Sequence, residues 1–173
     1  MQVDWDIMEA WLQISAIQSN RLIKTQTGGN PVMKCQDILS VKGTSVEHIH
    51  AGAKLDEVVH RLVEHGIGSL LVMDGDSILG IITERDILRT CEAERRPLSE
   101  IAVDERMTCD PITCRPEDTV ADVMGLMTNN RVRHLPVVED GQLFGMISIG
   151  DVVNAQYKQL TVENHYLKNY IQS

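Results

Sequence analysis

The sequence predicts an α+β fold built from two β-α-β-β-α repeats, with an extra helix at each end of the chain. One reason is a short signature that occurs twice, at 80–86 and 145–151: a glycine, two apolar residues, a hydroxyl residue, two variable residues and an aspartate. The other is an ungapped offset of 65 residues (145 − 80), which aligns 55–86 with 120–151 and places apolar residues on apolar residues. Self-similarity at such a period indicates two copies of one supersecondary unit.

Residues 1–31 predict an N-terminal helix that lies outside the repeats. Apolar residues recur from Val3 to Ile23 at spacings of three and four, which is the period of one helix face. Two glycines and Pro31 then interrupt the pattern. We expect the apolar face, which includes Trp11, to pack on the repeats or on a second subunit, because an exposed apolar stripe favours association.

Residues 32–97 form the first predicted repeat. Alternating and helical hydrophobic periods place five elements after a lead-in segment, in the order strand, helix, strand, strand, helix: 46–50, 55–65, 69–73, 78–82 and from Thr83 onward. Gly66 follows the first helix, where a glycine commonly ends one. Asp74 and Gly75 lie between the two later strands and favour the positive φ of a hairpin turn.

Residues 98–156 form the second predicted repeat, and 157–173 a helical tail. The same order of elements is expected: 111–114, 120–129, 134–138, 143–147 and from Ser148 onward. Asp118 is the predicted N-cap of the first helix in this copy, because a short acidic side chain can accept hydrogen bonds from free N–H groups there.

Composition excludes several classes of function. The 173 residues carry a net charge of −9, which disfavours nonspecific nucleic-acid binding because that requires a basic surface. No apolar run approaches the roughly 20 residues of a membrane-spanning helix. The acidic start, Met1 to Asp6, lacks the basic region of a secretory signal, so we expect a cytoplasmic protein without membrane contact.

The cysteines and histidines support an enzyme only weakly. Cys35, Cys91, Cys109 and Cys114 form no C-x-x-C pair and no zinc-ligand spacing, so we expect free thiols and no metal site. A catalytic alternative uses Cys109 or Cys114 as nucleophile with one of the histidines as base. No hydrolase, metalloprotease or P-loop motif supports it.

The chain resembles a tandem pair of CBS (cystathionine β-synthase) domains, also called a Bateman module, over about 34–155. The resemblance depends on the doubled signature, the strand that begins Arg133-His134-Leu135, and the hairpin before each signature. It implies two repeats related by a pseudo-twofold axis that form a disc-like homodimer. It also implies a regulatory protein rather than an enzyme, with an unidentified regulated partner and adenosine ligands between the repeats. The expected ligands are AMP, ADP or ATP, with S-adenosylmethionine and NAD as the other candidates, and no covalent cofactor.

The signature has a chemistry suited to such ligands. A carboxylate at a strand-to-helix junction can accept two hydrogen bonds from the cis-diol of a ribose. The N-terminus of the following helix offers free N–H groups and a positive dipole end to a phosphate.

The resemblance implies two clefts, each joining the signature of one repeat to the other repeat. The first would consist of Thr83, Arg85, Asp86, Thr108, Ile112, Thr113, Val132, Arg133 and His134. Arg133 and His134 match a basic pair that contacts phosphates in the regulatory subunit of AMP-activated protein kinase. A planar guanidinium group donates two parallel hydrogen bonds to a phosphate.

The second cleft departs from the family pattern. It would consist of Gly43, Val46, Glu47, His48, Ile67, Gly68, Ser69, Ser148 and Asp151. Gly68 and Ser69 occupy the positions of Arg133 and His134, and Gly150 occupies that of Arg85. With few phosphate donors, this cleft is expected to bind anions more weakly than the first.

A structural alternative explains both signatures without a ligand. A hydroxyl residue followed three positions later by an acid is also a capping box, in which the two side chains satisfy N–H groups at a helix start. On that hypothesis the protein is a ligand-free dimerisation scaffold. The cations beside the first signature favour the ligand hypothesis.

Overall fold

The computed structural model describes residues 32–171, so the predicted N-terminal helix lies outside the described residues. The described part contains five α-helices: α1 (Cys35–Lys42), α2 (Leu55–His65), α3 (Glu84–Ala93), α4 (Val120–Asn130) and α5 (Ile149–Ile171). Its six strands are β1 (His48–His50), β2 (Ser69–Asp74), β3 (Ser77–Thr83), β4 (Thr108–Cys109), β5 (His134–Glu139) and β6 (Gln142–Ser148). The predicted α+β class is confirmed, and the predicted helices and hairpins of both repeats are present.

The strands form a four-stranded sheet and a separate hairpin. In the sheet, β1 runs parallel to β2, whereas β2, β3 and β4 are antiparallel neighbours. The second sheet is the antiparallel hairpin of β5 and β6. Both hairpins shift register at matching positions, between Val72 and Met73 and between Val137 and Val138. The duplication therefore extends to the irregularities of the strands.

Each repeat buries residues from the lead-in segment of the other. Cys35 and Leu39 of α1 are buried in the core of the second repeat, with the side chains of α4, β5 and β6. Ile101 and Val103 are buried in the core of the first repeat. A small sheet is stable only when a second layer covers its apolar face, and here that cover is partly exchanged between the repeats.

The signature glycines lie where these lead-ins cross. A Cβ on Gly145 would be 2.8 Å from Cδ1 of Leu39. On Gly80 it would be 2.6 Å from the carbonyl oxygen of Thr108 and 2.9 Å from Sδ of Met107. Each glycine thus allows a lead-in to approach the hairpin closely.

Two local predictions for the second lead-in are wrong. Residues 111–114 form no regular strand; within them, only Cys114 makes a parallel bridge, to Val137, and the strand is β4 instead. The N-cap of α4 is Thr119, whose Oγ1 accepts a hydrogen bond from the backbone N–H of Asp122. Oδ2 of Asp118 instead accepts a hydrogen bond from the backbone N–H of Arg115, three residues earlier in the chain.

The last helix is longer than either segment predicted for it. The predicted helix after Ser148 and the predicted tail are one continuous α5, which has 23 residues. The boundary proposed between 156 and 157 falls inside this helix and stays a prediction. No helix within 32–171 combines the length and hydropathy needed to span a bilayer.

Candidate functional site

The first junction, between β3 and α3, is a complete helix cap. The backbone N–H of Thr83 donates to Oδ2 of Asp86 at 3.0 Å, and Oγ1 of Thr83 donates to the same oxygen at 2.6 Å. The N–H of Asp86 in turn donates to Oγ1 of Thr83 at 3.4 Å. The capping alternative is therefore structurally valid here. The other carboxylate oxygen of Asp86 makes no hydrogen bond with the described residues.

The second junction, between β6 and α5, has the same cap with a cation added. Oδ2 of Asp151 accepts hydrogen bonds from the N–H and the Oγ of Ser148, each at 2.7 Å. Nζ of Lys42, at the end of α1, lies 2.7 Å from the same oxygen. Burial acts to raise the pKa of Asp151, but the hydrogen bonds from Lys42 and Ser148 outweigh it and lower that pKa below its usual value.

An open groove of about 300 Å³ adjoins the first junction. Arg85 of α3 contributes from the first repeat, and Arg131 and Arg133 contribute from the second. Buried or half-buried apolar side chains and one hydroxyl residue complete the lining: Met127, Thr128, Val132 and Ile149. The groove therefore combines an apolar floor with three guanidinium groups.

Local backbone structure explains where these arginines lie. Arg131 ends α4 in the left-handed conformation (φ 56°), and its N–H donates to the carbonyls of Met127 and Thr128. The carbonyl of Arg133 accepts a hydrogen bond from the N–H of Ile149 at 2.8 Å, which ties the residues before β5 to the start of α5. Arg85 is in the first turn of α3.

The side chains of these three arginines form no hydrogen bond or ion pair with any described residue. Arg61 does pair with Glu57, and Arg96 with Glu94 and Glu105, whereas Arg89 and Arg95 make no such contact within 32–171. In a chain of net charge −9, three arginines around one groove are a local concentration of positive charge that suits an anionic ligand.

His134 lies where the two repeats meet. A Cβ on Gly68 would be 3.2 Å from Cε1 of His134 and 3.4 Å from Oε2 of Glu84, so the glycine allows these side chains from different repeats to approach. Burial, followed by the charges of Arg133 and Lys42, lowers the pKa of His134 below its usual value. The imidazole is consequently neutral at pH 7 and is influenced by charges of both junctions.

The groove collects only part of the predicted first cleft. Arg85, Val132 and Arg133 line it, whereas Thr83 and Asp86 form the adjoining cap. The other predicted residues lie in β4, in the exposed segment after it and at the start of β5: Thr108, Ile112, Thr113 and His134.

Residues of the predicted second cleft have separate structural roles. Gly43 ends α1 with φ 95°, and Ser69 is buried at the start of β2. The carbonyl of His48 accepts a hydrogen bond from Arg61, and Glu47 lies 3.7 Å from His65. Val46, Ile67 and Gly68 are partly buried.

The sequence prediction missed two cations. Arg131 was detectable in principle, because Arg131-Val132-Arg133-His134 alternates basic and apolar residues after a helix. Lys42 carried no local signal, because it is 109 positions from Asp151.

Comparison with known proteins decides the family. The model of the CBS domain matches this chain twice, at residues 37–93 and 98–158. The chain belongs to the CBS-domain family. The resemblance proposed from the sequence is thereby confirmed.

Relatives of this tandem CBS protein agree along most of its length. It is 34% identical over 167 residues to the mitochondrial CBS domain-containing protein CBSX3 of Arabidopsis thaliana, covering 91% of this chain and 81% of that protein. The crystal structure of the CBS-domain protein ATU1752 from Agrobacterium tumefaciens is 35% identical with a TM-score of 0.70, over 72% of this chain and 99% of that one.

A third likeness concerns the fold. The CBS domain pair of protein MJ0100, solved in complex with 5-methylthioadenosine and S-adenosyl-L-methionine, is 24% identical with a TM-score of 0.63. The match covers 75% of this chain and 99% of that one. CBS pairs generally bind adenosine ligands in a regulatory role.

Proposed function

We propose that this tandem CBS protein is a regulatory module that binds an adenosine nucleotide of the AMP, ADP or ATP type at the first junction. The observation that carries the proposal is the groove in which Arg85, Arg131 and Arg133 lie together, with no side-chain partner among the described residues, beside the turn that holds Asp86. The phosphates are assigned to the arginines and the ribose to Asp86.

The phosphate assignment follows from charge and geometry. The guanidinium group of arginine presents donors in a planar fork that matches two phosphate oxygens. Hydrogen bonds to charged groups contribute about 1.5–3 kcal/mol each. Because Arg85 comes from one repeat and Arg131 and Arg133 from the other, a bound polyphosphate would connect the two repeats.

The ribose assignment uses the carboxylate oxygen that the cap leaves free. Asp86 binds Thr83 through Oδ2 alone, so the other oxygen is available to a sugar hydroxyl. The apolar lining of Val132 and Ile149 supplies a surface on which a flat base can pack. S-adenosylmethionine and NAD share the adenosine moiety and remain the alternative ligands.

Binding can regulate a partner only through a difference in affinity between two states of the protein. We propose that these states differ in the packing of a homodimer. Large apolar side chains are exposed at matching positions of the two repeats: Leu88 on α3 is 71% exposed and Val153 on α5 is 58% exposed. Val63 of α2 is 78% exposed and extends the apolar surface of the first repeat. The regulated partner is a second protein rather than a nucleic acid.

We further propose that the protein does not catalyse a reaction and acts in the cytoplasm. The hydrogen bond with Cys35 and burial raise the pKa of the Cys114 thiol, and the Cys109 side chain makes no hydrogen bond with a base among the described residues, so neither resembles an activated nucleophile. Because one relative is a mitochondrial protein, subcellular fractionation is the experiment that tests the proposed compartment.

The scaffold alternative has an observation of its own in its favour. Both signature acids cap helices through contacts within the protein, and the exposed apolar residues suit dimerisation. The two proposals differ in what the arginines do, because a scaffold does not need three cations around one groove that pair with no described residue.

Isothermal titration with AMP, ADP and ATP separates the two. We expect ATP to bind the wild-type protein and to raise its melting temperature, as a ligand specific for the native state must. Combined Arg131→Ala and Arg133→Ala substitutions should weaken ATP binding at least about tenfold, as expected from lost charge-assisted hydrogen bonds.

The matched control is Arg115→Ala, which removes an exposed arginine whose nearest acid, Glu117, is 3.9 Å away. It should leave ATP affinity unchanged. If AMP, ADP, ATP, S-adenosylmethionine and NAD neither bind nor shift the melting temperature, the scaffold alternative holds.

A further inference from the structure

The two junctions differ in a contact that the signature does not encode. Oδ2 of Asp151 accepts hydrogen bonds from the N–H and Oγ of Ser148 and is ion-paired with Nζ of Lys42, all at 2.7 Å. Oδ2 of Asp86 accepts the corresponding hydrogen bonds from Thr83 and has no cation partner among residues 32–171. Lys42 therefore supplies the second junction with an internal cation that neutralises its acid.

Three observations describe the surroundings of the ion pair between Lys42 and Asp151. Nζ of Lys42 also donates to the carbonyl oxygen of Met146 at 3.1 Å. Leu39, three residues earlier and hence on the same face of α1, is buried against Gly145. The side chain of Asp151 is 23% exposed and that of Lys42 is 41% exposed, so solvent screens the pair only in part.

No described cation forms an equivalent ion pair with Asp86 at the first junction. The backbone hydrogen bonds of the two lead-ins correspond: Cys35 donates to Asp118 and Val103 donates to Ala53. Leu39 and Met107 likewise occupy matching places against the two signature glycines. Lys42 lies three residues after Leu39, and Asp110 lies three residues after Met107. Asp110, an exposed acid, therefore takes the position of Lys42 in the second lead-in.

We infer that Lys42 weakens the second junction as an adenosine site, because its ammonium group neutralises the carboxylate of Asp151 that a ribose would need as an acceptor. The inference uses the ribose recognition proposed above. The oxygen of Asp151 outside the cap stays available to a cis-diol, as in Asp86, but a carboxylate whose charge is shared with an ammonium group is a poorer acceptor for two neutral donors. Lys42 is thus a specificity-determining residue: it leaves the two similar signatures with unequal affinity for nucleotide.

The test is the number of ATP molecules bound per chain in wild type and in Lys42→Met, measured by isothermal titration. Methionine keeps the length of the side chain and removes its charge. We expect one site in the wild type and a second site in Lys42→Met that is at least about tenfold tighter than any second event in the wild type. The second site must be lost again when Asp151→Ala is added.

Lys54→Met is the matched control. Lys54 is exposed and its Nζ lies 3.4 Å from the carbonyl oxygen of Glu100, so this substitution removes one charge away from Asp151. It should leave the number of sites unchanged. If Lys42→Met impairs folding, Lys42→Gln keeps a donor for Met146 and tests the same charge.

Three outcomes would overturn the inference: an unchanged number of sites in Lys42→Met, weaker ATP binding in that variant, or no ATP binding to either protein. Weaker binding would make Lys42 a phosphate ligand instead. Failure of the proposed function gives a different result, in which the wild type binds nothing but Lys42→Met gains a site that depends on Asp151. NMR can follow the pKa of the Asp151 carboxyl. If that pKa does not rise in Lys42→Met, the contact between Lys42 and Asp151 is contradicted.

Discussion

The two strand-to-helix junctions contain nearly the same cap in unlike surroundings. Thr83 with Asp86 and Ser148 with Asp151 make the same set of three hydrogen bonds. Beside the first junction lies a groove with three arginines whose side chains are unpaired within 32–171, whereas an internal lysine neutralises the acid of the second. The signature therefore encodes a helix start in both repeats. Side chains from other parts of the fold make the first junction a candidate ligand site and neutralise the acid of the second junction.

The largest expected difference between the repeats concerns their signature glycines. In Gly80→Ala the new Cβ meets a backbone atom, the carbonyl oxygen of Thr108, which cannot rotate away. In Gly145→Ala it meets the end of the flexible Leu39 side chain. We expect Gly80→Ala to lower the free energy of unfolding by about 2–3 kcal/mol and Gly145→Ala by about 1 kcal/mol or less, measured by urea denaturation. Equal losses would show that β4 moves as easily as a side chain.

The second comparison removes the two caps. Asp86→Ala should cost about 1 kcal/mol, as the loss of a helix cap typically does. Asp151→Ala should cost about 0.5 kcal/mol more, because the partly exposed pair with Lys42 is lost as well. A double-mutant cycle with Lys42→Met isolates that coupling. A coupling of zero would mean that the ion pair contributes nothing to stability.

The pH dependence of this difference has a definite sign. The pKa of Asp151 is lower in the folded protein than in the unfolded chain, where it is about 3.9. The stability it contributes is therefore complete above that value and is lost as the pH falls through the folded pKa. Wild type and Asp151→Ala should converge in stability toward acid pH.

The smallest expected effect distinguishes His134 from its repeat equivalent Ser69. Because the folded-state pKa of His134 is lowered, its neutral form stabilises the protein above about pH 6.5, and this contribution decreases as the pH falls below that value. A phosphate bound at Arg133 would raise this pKa, so binding should take up protons. We expect ATP affinity to rise about threefold from pH 8 to pH 6 in the wild type.

His134→Ser, which copies the residue of the first repeat, is the control for the titration of ATP itself. It should reduce that pH dependence, with isothermal titration in buffers of different ionisation enthalpy reporting the protons taken up. An identical pH profile in both proteins would place the phosphate away from His134.

Elements that depend on neighbours along the chain were predictable. Helix α2 follows from the spacing of its apolar residues and from Gly66, and both hairpins follow from Asp-Gly turns between alternating segments. These signals are local, since periodicity and turn chemistry need only a few consecutive residues. The doubled signature located both junctions for the same reason.

Features that depend on distant parts of the chain were not predictable in this way. The strand expected at 111–114 is displaced to β4 because Thr108 and Cys109 pair with β3 of the other repeat. Arg85 faces Arg131 and Arg133, and Lys42 faces Asp151, across contacts between repeats. Local pattern establishes which residues begin a helix, whereas the charges around that helix depend on long-range packing of side chains, which leaves no periodic trace in the sequence.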